Sequence, residues 1–414
     1  MDGIKPEKPP VLELPASSKT VQVKAIDTTT RMACDARAFV QPQIKNHERL
    51  NFRTLCFLLE HDGEFILFDC GSRKDFWNSS PQTSEMIGAQ VPGLEIESGV
   101  HEILVEQGFN LDDLKAIVWS HWHWDHVGDG SKFPASTDIV VGPGFTKSFV
   151  PGWPENPESP VLASDLKGHR IHEPEFTLDV AGFPAYDYFG DGSFYLLDVP
   201  GVSPATTAII DTCTDFFDQH AIGHICGLAR TTPDTFVFMG GDCCHYAGAL
   251  RPTRYLPLPR EVSSAALDDY YPSPCPCSAF TQHHPKSTGN GARTEPFYDV
   301  SHAPGSAYSF PDLAQASIYS LQHLDAQPNV FICLAHDEVL FHILPLFNND
   351  ATKDINDWQE RGLREYCRWG FLNDLPKGGK PGRNPLVIGQ WRHGKQIKWD
   401  SREKGFIDIR DGCH

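Results

Sequence analysis

The sequence is short of three features that would place it in a membrane, in the secretory pathway or on nucleic acid. It contains no run of about eighteen apolar residues, so no transmembrane helix is expected. Its N-terminus, MDGIKPEKPPVLELPASSK, is polar and Pro-rich and has no apolar leader. Basic residues are outnumbered, 35 against 54 acidic ones, and the formal charge of −19 argues against nucleic acid or an anionic membrane as a partner.

A disulfide framework is also not indicated, because the twelve cysteines are scattered over 414 residues. Several, such as Cys56 and Cys333, lie in apolar runs, where a free cysteine behaves as a small hydrophobic residue. We therefore expect mostly reduced thiols and a cytoplasmic protein. The adjacent Cys243 and Cys244 could instead be redox-active, and the sequence leaves this open.

Short apolar runs separated by turn residues indicate the fold class. They predict strands at residues 21–27, 54–61, 64–71 and 114–121, with a hairpin turn at His61-Asp62-Gly63. Helical spacing over residues 98–109, 310–327 and 355–371 predicts helices between and after the strands. This mixture predicts a layered α/β protein with a mixed β-sheet.

Three parts of the chain differ from this core pattern. Residues 1–45 are predicted to be an N-terminal extension, partly disordered. Residues 251–310 are rich in Pro, Ser, Tyr and His, and such a segment is typical of a lid over a binding site or of an ordinary surface loop. Residues 351–414, with a predicted helix and a Gly-rich basic tail, are expected to pack on the catalytic domain at 46–350.

The strongest chemical signal is SHWHWDHVGD, residues 120–129, directly after a predicted buried strand. It supplies His121, His123, Asp125 and His126 within six residues. His121 and His123 project to the same side of an extended chain, and the other two follow in the turn. Imidazole and carboxylate together suit zinc and similar divalent ions, so the motif predicts a metal site.

HWHWDH resembles the HxHxDH signature of the metallo-β-lactamase superfamily, and specifically its N-acyl-homoserine-lactonase-like and fungal lactamase and lactonase branch. The resemblance extends over roughly residues 50–345. It implies a four-layer αββα sandwich with mixed sheets. It further implies that Asp69 packs under the site, that Asp242 bridges two metals and that His336 is the last histidine ligand.

The family also places a histidine in a PGHxxGH-type stretch. Here Pro200-Gly201 and His220-Ala221-Ile222-Gly223-His224 match its two parts, but residues 202–219 separate them. By resemblance His220 is the ligand, and His224 has a structural role. The separating residues are either a loop insertion, which loop-closure entropy tolerates, or a retained intron whose removal restores DVPGHAIGHICGLAR.

This ligand set implies two metals per chain, since six or seven groups are too many for one tetrahedral zinc. Two zinc ions are expected, although other divalent metals are possible. Such a pair lowers the pKa of a bridging water, and the resulting hydroxide is the expected nucleophile, with Asp125 orienting it and passing a proton to the leaving group. One metal would take His121, His123 and His220, the other Asp125, His126 and His336, with Asp242 shared.

The resemblance implies a hydrolase that opens a small cyclic amide or ester, such as a benzoxazolinone-type compound in xenobiotic detoxification. In the related lactonases a tyrosine follows the bridging aspartate by three residues, whereas this chain has His245 there and Tyr246 next. Either residue is a candidate to hydrogen-bond the substrate carbonyl. A thioesterase of the glyoxalase II type and a non-catalytic metal-binding homologue stay as alternatives. The sequence does not determine the oligomeric state.

Overall fold

The computed structural model describes residues 4–199, 222–269, 271–308 and 310–409. Residues 202–219, read above as an insertion or retained intron, and the predicted ligand His220 lie outside this described part. The strands are β1 (Gln22–Asp35), β2 (Val40–Gln41), β3 (Arg49–His61), β4 (Glu64–Phe68), β5 (Gly93–Ile96), β6 (Leu114–Val118), β7 (Asp138–Val140), β8 (Ile171–His172), β9 (Leu178–Val180), β10 (Phe183–Asp187), β11 (Phe194–Asp198), β12 (Ile225–Thr232), β13 (Thr235–Met239), β14 (Glu261–Val262), β15 (Cys275–Pro276), β16 (Asp299–Val300), β17 (Val330–Cys333), β18 (Gly389–Arg392), β19 (Lys395–Asp400) and β20 (Gly405–Asp408).

The helices are mostly short. The longest described one begins at Pro311, whose fixed φ suits a first helical position. The α-helices are α1 (Pro81–Gln90), α2 (Val100–Glu106), α3 (Trp124–Val127), α4 (Phe145–Phe149), α5 (Ala163–Leu166), α6 (Ala247–Leu250), α7 (Ser278–Thr281), α8 (Pro311–Asp325), α9 (Leu340–Ile343) and α10 (Leu363–Cys367). Single 3₁₀ turns lie at Ala36–Ala38, Phe76–Asn78, Leu111–Asp113, Gly130–Lys132, Ser264–Ala266, Gly291–Arg293 and Gly370–Asp374. Within the described ranges, no helix combines the length and the apolar character needed to cross a membrane.

Two mixed sheets form the centre of the molecule, as the alternation of strands and helices predicts. The larger sheet has the order β20-β19-β18-β5-β1-β3-β4-β6-β7-β8, and the smaller has the order β17-β13-β12-β11-β10-β9. In the larger sheet, β4, β6, β7 and β8 run parallel, whereas β1, β3 and β4 pair antiparallel. In the smaller sheet, only β13 and β17 are parallel neighbours among the described strands.

Apolar side chains fill the space between the sheets and on both outer faces. Val118 of β6, Phe68 of β4 and Met239 of β13 belong to one buried cluster between the sheets. Leu104 of α2 packs against the outer face of the larger sheet, and Ile318 of α8 packs against that of the smaller sheet. These layers give the expected αββα arrangement, in which each sheet buries both faces.

The N-terminal region contributes more to the sheet than the sequence analysis assigned to it. The strand predicted at residues 21–27 is confirmed, but it continues to Asp35 as β1 (Gln22–Asp35) and pairs with β3 along most of its length. A register shift between Asp27 and Arg31, with Thr29 at a φ of 60°, bends the strand. The extension therefore supplies a strand in the middle of the larger sheet.

The prediction of one helix over residues 355–371 was wrong. Only Leu363–Cys367 is α-helical, and residues 355–362 form turns that end at Gly362, which has a φ of +66°. Long-range contacts determine this conformation: Ile355 N donates to Val23 O, and the Trp358 side chain is fully buried. The tail beyond it forms β18, β19 and β20, which extend the larger sheet through a parallel pairing with β5.

Candidate metal centre

The predicted ligands follow strands whose carboxyl ends meet at one edge of the sandwich. Asp69 follows β4 and His121 follows β6, its parallel neighbour, while Asp242 and His336 follow the parallel pair β13 and β17. The carboxyl ends of parallel neighbours lie at the same edge of a sheet. A hydrogen bond of 2.7 Å from Ile225 N to Ser120 O joins the two sheets there.

Asp69 orients the imidazole ring of His126 through a hydrogen bond. Its φ of +61°, in the left-handed region, turns the chain sharply after β4. The Asp69 carboxylate accepts hydrogen bonds from Ser120 N at 2.7 Å and from His126 Nδ1 at 2.8 Å. Because Nδ1 of His126 donates to Asp69, Nε2 is the nitrogen that faces the cluster and that a metal ion would bind.

His336 follows β17 of the smaller sheet, and residues of β3 in the larger sheet hold its ring in a fixed orientation. Its Nδ1 donates to the backbone carbonyl of Arg53 at 2.7 Å, and the Phe52 ring stacks on the imidazole at 4.7 Å. Its Nε2 therefore also faces the cluster. Nε2 of His336 and Nε2 of His126 each lie 3.0 Å from Oδ1 of Asp242.

This convergence fits a metal ion. In the described part of the chain, His126 Nε2 and Asp242 Oδ1 are buried and neither makes a hydrogen bond. Burying such atoms without partners costs free energy, and a divalent cation between them would satisfy both. The ligand-type atoms that lie within 4.8 Å of one another form two groups that share His126: His121, His126 and Asp242 in one, and Asp125, His126 and His336 in the other.

The group of Asp125, His126 and His336 has the composition predicted for one of the two metals. The group of His121, His126 and Asp242 differs from the prediction for the other metal, because it does not include His123. His123 lies next to this group, with Nδ1 at 2.7 Å from His121 Nε2 and 3.9 Å from Asp242 Oδ2. His121 Nε2 is 3.5 Å from Asp242 Oδ2. With His220 outside the described residues, the assignment of His121, His123 and His220 to one metal stays a prediction.

The buried carboxylates and imidazoles of the cluster each stabilise the charged form of the other. Burial opposes the charged form of His126, but Asp242, Asp69 and Asp125 outweigh it and raise its pKa well above the ordinary value. Burial also opposes the charge on Asp242, yet the neighbouring His126, His336 and His245 hold its pKa well below the ordinary value. A carboxylate that stays ionised while buried is suited to a cation.

His245 joins the cluster and Tyr246 does not. His245 Nε2 lies 3.1 Å from Asp242 Oδ2, whereas the Tyr246 hydroxyl donates to the Phe371 carbonyl at 3.1 Å on the far side of the backbone. Adjacent residues in an extended chain point in opposite directions, which separates these two candidates. Sequence reasoning missed Tyr308, whose hydroxyl lies 2.8 Å from His245 Nδ1 and comes from the 251–310 segment.

His224 lies beside the cluster, and its supporting role stays a prediction. It is buried, and the backbone N–H of Asp242 donates to its Nε2 at 3.2 Å. The His224 ring also lies 5.1 Å from the His121 ring, centroid to centroid. With Nε2 engaged by the backbone, His224 fixes the turn that carries Asp242.

A cleft opens beside the cluster, with Asp125, Asp242 and His336 on its floor. Its walls come mostly from β1, β3 and α1, and the sequence analysis named none of them as site residues. Met32 and Cys34 are two apart in β1 and so face the same side, a signal that was available only once residues 22–35 were known to be a strand. The wall residues are Met32, Cys34, Phe39, Phe52, Met86, Gln90, Val91, Trp124 and Ala307.

The chain is similar to several known proteins. Residues 50–179 match the model of the metallo-beta-lactamase superfamily. The chain is 40% identical over 379 residues to the metallo-hydrolase mfmC of Annulohypoxylon moriforme, covering 89% of this chain and 91% of that one. It is 38% identical over 381 residues to the gamma-lactamase FDB1 of Fusarium pseudograminearum, covering 89% and 85%. A solved N-acyl homoserine lactone hydrolase, with the product N-hexanoyl-L-homoserine at its catalytic metal centre, superposes with a TM-score of 0.49 at 17% identity, over 80% of this chain and 98% of that one.

Proposed function

This chain is a hydrolase that belongs to the metallo-β-lactamase superfamily, and we propose that it opens a small cyclic amide or ester by metal-dependent hydrolysis. The observation that carries the proposal is the convergence of His126 Nε2 and His336 Nε2 on one oxygen of Asp242, each at 3.0 Å. The gamma-lactamase named above supports a lactam or a related ring as the substrate. Detoxification of a foreign compound, such as a benzoxazolinone-type ring, is the role we propose for it.

Two zinc ions per chain are the proposed cofactors. His121, His123, His126, His336, Asp125 and Asp242 would hold them together with His220. When bound, the ions supply a water that ionises near neutral pH and withdraw electron density from the scissile carbonyl. The structural support is the pair of buried atoms His126 Nε2 and Asp242 Oδ1, which have no hydrogen-bond partner among the described residues.

The protein side chains divide the remaining work. Asp125 lines the cleft, and its Oδ2 lies 3.6 Å from the Nε2 atoms of both His126 and His336. A carboxylate in that position can orient the attacking water, accept its proton and pass it to the leaving nitrogen or oxygen. His245 holds Oδ2 of Asp242, so that Oδ1 of Asp242 faces the two histidines.

A cytoplasmic location is part of the proposal. The ten cysteines in the described ranges are free thiols, and most of them are buried. Structural cysteines in an oxidising compartment are usually paired, whereas free thiols persist under reducing conditions. A small uncharged molecule is the proposed partner.

A substrate panel tests the proposed function. The zinc-loaded chain is assayed with a γ-lactone, a γ-lactam and a glutathione thioester. Ring opening of the lactone or lactam, with little thioester cleavage, is the expected result. Preferential thioester cleavage would indicate a glyoxalase II type of activity, and bound zinc with no turnover of any compound would indicate a non-catalytic homologue.

A further inference from the structure

A groove separate from the proposed active site lies between β1, β5 and the turn that joins β18 to β19. It has a volume of about 430 Å³, and none of its described lining residues is a predicted metal ligand or lines the cleft beside the cluster. Arg31 of β1 lines the groove, and its neighbour Met32 lines the cleft. Because successive side chains of a strand point to opposite faces, the groove and the cleft lie on opposite sides of β1.

The conformation of the chain explains how the β18–β19 hairpin reaches this groove. His393 and Gly394, with φ values of +51° and +75°, form a two-residue turn between the two strands. Such a turn needs left-handed conformations, which glycine adopts without strain. The turn places the His393 ring 5.1 Å from the Trp77 ring, centroid to centroid, so the hairpin and the segment before α1 form one wall.

Two tryptophan side chains line the groove, and both are half-buried. Trp391 lies in β18, and its indole N–H donates to the Ile388 carbonyl at 3.0 Å, which restrains the ring. Trp77 already attracts a cation, since the guanidinium carbon of Arg392 lies 5.6 Å from its ring centroid. Arg392 does not line the groove and is itself paired with Asp408 at 2.6 Å. Indole rings attract a positive charge placed over their faces within about 6 Å, so these walls are suited to a cation.

The lysine and the arginine that line the groove are each neutralised by an acid outside it. The Arg31 guanidinium donates two hydrogen bonds to the Asp27 carboxylate, at 2.9 and 2.8 Å. Lys74 pairs with Glu102 at 3.2 Å. Neither of these two acids lines the groove, so both cations are compensated from outside.

Two carboxylates that line the groove have no such partner. Glu95 and Glu97 are exposed, and neither makes a hydrogen bond or an ion pair with a described residue. They are two positions apart at β5, and such residues point to the same side of a strand. Arg31 lies opposite Glu95 in the sheet but is bonded to Asp27 instead. The groove therefore combines uncompensated negative charge with two indole rings.

From these observations we propose that the groove binds a small organic cation, whose alkylammonium group lies against the two indole rings and whose charge faces Glu95 and Glu97. Aromatic rings recognise such cations because their electron-rich faces attract the charge while the alkyl groups make apolar contacts. An anion would be repelled by the carboxylates, and a neutral ligand of the same shape would gain only the contacts with the rings. This site is separate from the proposed hydrolysis, so neither inference depends on the other.

Two substitutions separate the contribution of the ring from that of the charge. Trp391→Leu removes an aromatic face but keeps an apolar side chain. Glu95→Gln removes a charge but keeps the shape of the side chain. Glu85→Gln is the matched control for the loss of charge, since Glu85 is exposed on α1 and does not line the groove. None of these three residues is a predicted metal ligand.

Binding is measured by ligand-detected NMR titration of the zinc-loaded full chain, at a constant ionic strength of about 50 mM so that screening is limited. The main probes are choline and 3,3-dimethylbutan-1-ol, which has the same shape but carbon in place of the charged nitrogen. Methyl α-glucoside is the third probe, because a sugar ring can also stack on tryptophan. We expect choline to bind at least about fivefold more tightly than its neutral isostere, and the glucoside to bind more weakly than choline.

Trp391→Leu and Glu95→Gln should each weaken choline binding at least about threefold, with the fold retained as judged by circular dichroism. Glu85→Gln should leave choline binding unchanged, and Glu95→Gln should leave binding of the neutral isostere unchanged. Undetectable binding of choline, or equal affinities for choline and its isostere in the unmodified chain, would overturn the inference. So would equal effects of Glu95→Gln and Glu85→Gln, or preferential binding of the glucoside, which would indicate a neutral sugar as the ligand.

Discussion

Nε2 of His245 lies 3.1 Å from Oδ2 of Asp242, and the other nitrogen of the same ring lies 2.8 Å from the Tyr308 hydroxyl. The three side chains form a buried series that ends on the carboxylate predicted to bridge two metals. With Oδ2 held by His245, the second oxygen of Asp242 is directed to His126 and His336. His245 therefore acts on the metal centre through Asp242.

Replacing His245 with Phe keeps a ring of similar shape but removes both hydrogen bonds. We expect the affinity for zinc to fall by about 10- to 100-fold, as is typical when a partner of a metal ligand is lost. Titration against a chelating dye measures this affinity. Tyr308→Phe is the matched variant, since it leaves the contact between His245 and Asp242 in place and should cause a smaller loss in the same direction. Unchanged zinc affinity in the His245→Phe variant would contradict this role.

Asp69→Asn tests the orientation of His126. The carboxylate accepts from His126 Nδ1 at 2.8 Å and from Ser120 N at 2.7 Å, and an amide has only one accepting oxygen for these two donors. We expect zinc affinity at least about tenfold weaker, with the fold retained as judged by circular dichroism. Asp357→Asn, at an exposed position, is the control. Equal zinc affinity of the two variants would show that Asp69 does not orient the ligand.

Much of the site could be predicted from the sequence because its residues follow strands. His121, Asp242 and His336 each come shortly after an apolar run, and parallel strands bring such positions together. The roles of Tyr308 and Met32 could not be predicted, since neither lies in a motif. Both reach the site through pairing and packing between residues far apart in the chain, which local sequence patterns do not encode.

The error at residues 355–371 has a related cause. The apolar spacing of Trp358, Leu363 and Phe371 is compatible with one helix, but Trp358 is buried from a turn, Leu363 from α10 and Phe371 from the 3₁₀ segment that follows. Gly362, in the left-handed region, separates these turns from α10, and the backbone N–H of Ile355 donates to Val23 of β1. Tertiary contacts outweigh helical propensity here because propensity contributes only tenths of a kcal/mol per residue, up to about 1.

His47 should make the stability of the protein decrease in mild acid. Burial lowers its pKa to about 4, with Glu48 opposing the shift in part, and its Nδ1 lies 2.5 Å from the Tyr298 hydroxyl. As the pH falls from about 6.5 toward 4, the unfolded chain takes up a proton at His47 and the folded chain does not, so the free energy of unfolding decreases. The loss from this residue at about pH 5 is on the order of 2 kcal/mol.

Urea denaturation at about pH 7 and about pH 5 measures this effect. His47→Gln, which has no titrating ring, should lose less stability than the unmodified chain over the same interval. His302→Gln, at an exposed position, should follow the unmodified chain. An equally steep decrease in the His47→Gln variant would assign the acid sensitivity to other groups.

The predicted ligand His220 and the preceding residues 202–219 give a separate prediction. If these residues interrupt the metal-binding motif, a chain in which Gly201 is joined directly to His220 should bind zinc more tightly than the long chain, and His220→Ala should remove that gain. Zinc titration of the two lengths makes the comparison. Sequencing the mature transcript decides between the two origins, since a message that keeps codons 202–219 excludes a retained intron.

Metal-dependent ring opening is the central claim, and one measurement addresses it directly. Hydrolysis of phthalide, a benzo-fused γ-lactone, is measured with the full chain as purified, after a chelator has removed the metal, and after zinc is added back. The zinc content per chain is determined at each stage. We predict that turnover is lost with the metal and recovers as two zinc ions per chain are restored, and that Asp125→Ala and Asp242→Ala stay inactive throughout. Turnover that persists without metal, or that survives either substitution, would contradict the account.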